Sequence, residues 1–184
     1  MNIQQAVLPS HVSEVAKKDR QSAEAGVALP LQKIQGVNFR RATTNFDSRG
    51  EIVEILSENH GPIEPIPHVY IASLFPRCLK GWVYHEFQHD RLFPLYGLLK
   101  VVLYDFRLDS PTHGAFDEIV ICPGNRGVLT IPPYVVHAVV NIGNETAAFL
   151  NCPTKAYNYA QPDKHRISVA SGVIPYDFTG YSGW

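Results

Sequence analysis

The sequence predicts an all-β fold, an antiparallel sandwich or barrel built as one domain. Beyond residue 36, short apolar or alternating runs recur at about ten-residue spacing. Clusters of Gly, Pro, Asn and Ser separate them, and no long helical periodicity intervenes. The 184 residues, 45% hydrophobic and 18% charged, are an ordinary globular balance, enough for a sizeable core without staples.

Residues 1–33 stand apart as an N-terminal arm. Ser10 can cap a short helix through Val12, Val15, Ala16 and Ala23, and Gly26 can end it. The remainder, residues 34–184, reads as one domain. Strands are expected at 37–41, 52–56, 68–75, 81–87, 92–95, 98–106, 118–122, 127–131, 137–142 and 147–152. Turns are marked by Ser48-Arg49-Gly50, Gly61-Pro62, Pro76-Arg77, Tyr96-Gly97, Pro123-Gly124-Asn125, Pro132-Pro133 and Gly143-Asn144. From Ala156 onward the chain is rich in Tyr, Pro, Asp and Gly and reads as a loop-rich wrap over the β domain.

The formal net charge of -1 asks for neither nucleic acid nor an acidic membrane as partner. There is no apolar run of about 18 residues for a membrane helix. The N-terminus lacks a basic region followed by a long apolar core, so no secretion signal is expected. Cys78, Cys122 and Cys152 are odd in number, far apart and set in apolar runs. They read as reduced thiols of a cytoplasmic protein.

Two segments carry the candidate chemistry. In Gly127 to Asn141 a strand ends at Ile131, Pro132-Pro133 turn the chain, and a new strand starts near Val135. Period-two alternation then puts His137 on one face with Val135, Val139 and Asn141, near the mouth of a barrel. The second segment runs from Gly81 through Val83, His85, His89 and Asp90 to Gly97. If its strand stays regular, Val83, His85 and His89 share a face. With His137 that makes three imidazoles, a set suited to a catalytic divalent metal with an open position.

These two segments resemble the paired motifs of the cupins, double-stranded β-helix (jelly-roll) barrels with a pocket in the mouth. Further marks resemble the dTDP-4-dehydrorhamnose 3,5-epimerase family across residues 37–178. They are Asp47 to Glu54, Leu79-Lys80-Gly81, Asp105 with Arg107, Ser110-Pro111-Thr112 with Gly114, Ile131-Pro132-Pro133, His137, and Phe149-Leu150 with Thr154. The resemblance implies a homodimeric cupin that needs no cofactor and binds a nucleotide-linked 4-keto sugar. Such chemistry needs a base within reach of a proton next to a ketone and a cationic or hydrogen-bonding group beside the enolate oxygen. It also needs Arg or Lys for the diphosphate.

By the resemblance, Arg49 reaches the nucleotide sugar with Glu54 beside it. Lys80 stands for a pocket arginine, and Arg91 lies near a pocket lysine. His137 is the second pocket histidine. The position of the family base holds Val83, and that of the family acid, a tyrosine, holds Asn151, which is left as a substrate contact. The family's orienting aspartate lies beyond a stretch this chain does not match. His85 is therefore expected to be the base, His137 to position the substrate or enolate oxygen, and Tyr157 or Tyr159 to be the acid. Three readings follow. The leading one is an isomerase, epimerising or ketoisomerising a nucleotide-linked 4-keto sugar in polysaccharide biosynthesis. The others are a metal-dependent cupin using His85, His89 and His137, and a non-catalytic cupin that binds a sugar nucleotide.

Overall fold

The computed structural model describes residues 33–183. Its strands are short and follow the alternation of apolar and polar residues. In chain order they begin with β1 (Asn38–Arg41) and a hairpin of β2 (Thr43–Asp47) and β3 (Gly50–Glu54). Next come β4 (Tyr70–Leu74), β5 (Cys78–Tyr84), β6 (Asp90–Tyr96) and β7 (Leu99–Asp105). They continue with β8 (Phe116–Ile121), β9 (Gly127–Ile131), β10 (Val135–Asn141) and β11 (Ala147–Asn151). The two-residue strands β12 (His165–Arg166) and β13 (Ser182–Gly183) lie in the C-terminal segment. The helix expected within residues 1–33 lies outside the described residues.

Two sheets face each other. One has the order β1-β9-β6-β11-β4, the other β12-β5-β10-β7-β8, with β13 also paired to β5. The neighbours are antiparallel except for the β13–β5 pair. The hairpin β2–β3 pairs only with itself. The ladder from β7 to β10 runs unbroken from Val135 opposite Asp105 to Asn141 opposite Leu99. Such pairing gives the expected alternation along β10. Val135 and Val139 enter the core between the sheets with Leu92, Leu103, Ile121, Leu129 and Phe149. Val136, Ala138 and Val140 face the other way. Each fully buried Val, Leu or Phe of this kind stabilises the fold by about 1.5–3 kcal/mol.

The outward face of the β10 sheet is covered by the C-terminal segment, as the composition of that segment suggests. Trp82 meets Phe178 at 5.2 Å and Tyr176 edge-on at 5.9 Å, over a layer of Leu79, Val102 and Ile174. The segment then adds β12 and β13 beside β5. These strands, and β2, were not anticipated. The first two are too short for any periodicity to be read, and Thr43-Thr44-Asn45-Phe46-Asp47 carries only one apolar side chain.

Strand β5 departs from regularity at its centre. His137 pairs with Val83 but Val139 pairs with Lys80, so β5 carries one extra residue against β10. Leu79 and Trp82 consequently both face outward, although they differ in parity. Gly81 occupies the bulge at φ +152°, and a Cβ there would lie 2.5 Å from that of Ala138. A second correction concerns the strand's end. It stops at Tyr84, not at residue 87, and residues 85–89 form a turn. The parity that was to align His85 with His89 ends there.

Candidate active site

Asp90, the first residue of β6, lies between the sheets and is only 4% exposed. Its Oδ2 lies 3.4 Å from His85 Nε2 and 3.4 Å from His137 Nε2. Its Oδ1 accepts hydrogen bonds from Gln88 Nε2 at 2.8 Å and Asn151 Nδ2 at 3.0 Å. Asn151 Nδ2 also donates to the Tyr70 hydroxyl at 2.8 Å, across the β4–β11 pair in which the two residues are opposite. One buried carboxylate thus gathers groups from both sheets.

His85 is fixed on every side. Its carbonyl accepts the Tyr134 N–H at 2.7 Å, from the turn that Pro132-Pro133 begin. Its Nδ1 donates to the Asp163 carbonyl at 2.7 Å. The Asp163 carboxylate in turn accepts the N–H groups of Glu86 and Phe87, closing the turn after β5. Both ring nitrogens of His85 therefore face acceptors, one a carbonyl and the other a carboxylate. Burial alone would lower the imidazole pKa, but the Asp90 hydrogen bond and charge, with help from Asp163, raise it. Burial would likewise raise the Asp90 carboxyl, and the two imidazoles instead hold it well below the usual range. The arrangement favours an imidazolium at His85 against a carboxylate at Asp90. The raised pKa favours the protonated form of His85.

A cavity of about 450 Å³ runs along the seam between β4 and β5, lined among others by Ser73, Phe75, Lys80, Val83, Lys164 and Arg166. Pairing of β12 with β5 sets Arg166 opposite Val83 and His165 opposite Tyr84. His165 and Tyr84 stack at 4.8 Å on the outward face. Arg166 accordingly shares the other face with Val83. Lys164, one step further, falls on that face too, and its ammonium is within electrostatic reach of Asp90. Sequence reasoning missed Asp90, Tyr70, Lys164 and Arg166. The sequence names Asp90 only as part of the run from Gly81 to Gly97. Nothing local marks the other three.

Several expected residues lie elsewhere. His89 faces Glu64, with 3.5 Å between Nδ1 and Oε1, and its backbone is held by Thr154. The three imidazoles His85, His89 and His137 do not converge as metal ligands. Among the described residues, ligand atoms within 4.8 Å of one another occur only in Glu86, Asp163 and His165, and Asp163 there already accepts two backbone N–H groups. The Arg91 guanidinium donates to the carbonyls of Cys152, Glu64 and Pro65. Asn151 serves the Asp90 network through its amide nitrogen and holds the Arg91 N–H through its oxygen.

Tyr157 and Tyr159 pack on each other at 4.9 Å, with Tyr159 86% exposed, and neither bonds to the Asp90 cluster. Arg49 is on the β2–β3 hairpin, ion-paired with Asp47, its side chain 87% exposed. Glu54 ends the same hairpin and pairs with His60 at 3.3 Å. The Asp105, Arg107, Ser110 and Thr112 motif is a turn staple. Buried Asp105 accepts from Arg107 Nε, Ser110 Oγ and Thr112 Oγ1 at 2.6–2.8 Å, and these bonds outweigh burial to hold its pKa low.

No family model matches the chain. It is 35% identical over 149 residues to the probable low-salt glycan biosynthesis epimerase of Haloferax volcanii, covering 80% of this chain and 91% of that protein. It is 32% identical over 134 residues to the spore coat polysaccharide biosynthesis protein SpsL of Bacillus subtilis, covering 73% of this chain and 89% of that protein. Among solved structures, a dTDP sugar isomerase from Desulfovibrio desulfuricans superposes with a TM-score of 0.74 at 23% identity, over 81% of this chain and 94% of that one. The rmlC epimerase of Mycobacterium tuberculosis gives 0.71 at 19% identity, over 79% of this chain and 76% of that one. The two facing sheets are the fold of those enzymes. The chain belongs to the dTDP-4-dehydrorhamnose 3,5-epimerase-like family of sugar epimerases.

Proposed function

We propose that this protein is a cupin isomerase that moves a proton next to the 4-ketone of a nucleotide-linked sugar, in the biosynthesis of a surface or secreted polysaccharide. The observation that carries this reading is Asp90 held between His85 and His137, with Lys164 within electrostatic reach of it and Lys80, Lys164 and Arg166 lining one cavity. The cationic side chains suit a diphosphate. The His85 imidazolium suits the oxygen of a developing enolate. His137 positions the substrate.

Tyr70 supplies an acid from the facing sheet. Its oxygen accepts from Asn151, which leaves its own hydroxyl proton to donate. Burial first, then the Asp90 charge, push its pKa up to about 12, so the phenol stays protonated at neutral pH. The family acid is expected at the Asn151 position, and Tyr70 brings a hydroxyl there from the neighbouring strand. The same reading has the enzyme cytoplasmic, with its free cysteines reduced, and active without a cofactor. It has it as a homodimer too, in which Arg49 on the exposed hairpin reaches toward the second copy.

A panel of dTDP-, GDP- and CDP-4-keto-6-deoxy sugars in deuterated water tests this. Deuterium should enter at C3 or C5 of at least one, with loss of exchange in His85→Ala. A second reading, a cupin that binds sugar nucleotides without turnover, is favoured by Val83 and Asn151 at the positions of the family base and acid. Tight binding without exchange, unchanged in His85→Ala, would replace the first reading by the second.

A further inference from the structure

We infer that Lys164 is the proton-abstracting base of this chain, a catalytic role for a residue outside both cupin motifs. The inference rests on the isomerase reading above. It starts from a gap. Val83 carries no proton acceptor, His85 has both ring nitrogens turned to acceptors, and Asp90 is clamped by two imidazoles and two amides. None of the three is suited to take a proton from carbon.

The C-terminal segment fills the gap from the side. After covering the outer face, the chain pairs β12 with the end of β5 in the register Arg166–Val83 and His165–Tyr84. His165 goes outward onto Tyr84. Alternation sends Lys164 and Arg166 to the opposite face, and both line the cavity that Val83 also lines. The segment is anchored at Asp163, whose carbonyl holds His85 Nδ1 and whose carboxylate holds the turn after β5. Lys164 is thus tied through one peptide unit to the group that polarises the ketone. Tyr70 comes from β4 in the facing sheet, and the proposed step uses amine and phenol on opposite faces of the sugar.

Lys164 opens to the solvent of the cavity, and the charged groups that act on it are Arg166 on its own segment, Lys80 on β5 and Asp90 on β6. Withdrawal of its ammonium from bulk water is the largest influence. That and the two cations lower its pKa, while Asp90 opposes them. A lysine so placed gives up its proton more readily than an ordinary lysine, as a general base must.

In the step itself, the Nζ lone pair takes the proton from the carbon next to the ketone. The C–H electron pair becomes the enolate C=C bond, and the carbonyl π pair moves to oxygen, whose charge the His85 imidazolium offsets. A proton returns to the carbon from the Tyr70 hydroxyl on the other face. Solvent water then takes the proton from Lys164 and restores that of Tyr70.

The test compares Lys164→Arg, which keeps the charge but gives up no proton at neutral pH, with Lys164→Met, using dTDP-4-keto-6-deoxyglucose in deuterated water. Both variants should lose about 100-fold or more in exchange rate. Binding of the same sugar nucleotide to Lys164→Arg should stay within about threefold of wild type. The limb of the rate–pH profile that rises with loss of a proton below the ordinary lysine range should vanish in both. Ethylamine should restore exchange to Lys164→Ala. Exchange retained in Lys164→Arg would overturn the assignment while leaving the isomerase reading intact. So would a loss confined to binding. Absence of exchange in wild type, with every sugar nucleotide of the panel, would overturn both.

Discussion

Asp90 is the residue on which the site turns. It faces two imidazoles, an amide from β11 and an amide from the turn before β6. Replacing it by Asn removes the charge and keeps the shape. In Asp90→Asn the His85 pKa should fall, since burial is then opposed only by Asp163. An imidazole titration followed by NMR checks this, and an unchanged His85 pKa would refute it. Proton exchange should drop about 100-fold. The signs for stability follow from linkage. The lowered Asp90 pKa contributes stability above about pH 4, lost as pH falls through the folded value. The raised His85 pKa contributes stability below about pH 6.5, lost as pH rises through its folded value. The pair therefore stabilises most between those limits, and Asp90→Asn should flatten the fall in stability below about pH 4 and above about pH 6.5.

At the scale of the element, β5 and its bulge decide what faces the cavity. The extra residue at Gly81 lets Trp82 pack outward under Tyr176 and Phe178 while Lys80, Val83 and His85 stay on the inner side. A side chain at Gly81 would meet the Ala138 Cβ at 2.5 Å and the His137 carbonyl at 2.9 Å, in a backbone conformation that favours glycine. Gly81→Ala should cost about 2–5 kcal/mol of folding stability. Urea unfolding measures it, and a change below about 0.5 kcal/mol would contradict the geometry. Strands β7, β9 and β10 were legible in the sequence because both of their faces, or one regular face, bury apolar residues. The end of β5 was not. A run reading Val83-Tyr84-His85-Glu86-Phe87 alternates plausibly past Tyr84, and only the Asp163 carboxylate, far along the chain, bends it away.

At the scale of the molecule, several large apolar side chains of the hairpin and around β4 reach the surface. Phe46 and Ile52 on the hairpin are 76% and 74% exposed, and Ile66, Val69 and Ile71 are exposed before and along β4. A hairpin paired only with itself gains little stability alone. Light scattering should give twice the chain mass for the wild type. Phe46→Glu with Ile52→Lys should give a monomer. A wild-type monomer at micromolar concentration would remove the dimer from the reading.

The sequence by itself determined the β architecture, the place of His137 on the inner face of β10 and the kinship with sugar epimerases. Alternation, turn residues and short motifs are local, and local patterns survive in a string of letters. Only the tertiary structure decided which groups meet. It set Asp90 between two histidines, put the Tyr70 hydroxyl against the Asn151 amide, and brought Lys164 and Arg166 beside Val83 from the far end of the chain. These are register and sheet-order contacts. They depend on which strands become neighbours, and no periodicity within a strand records that.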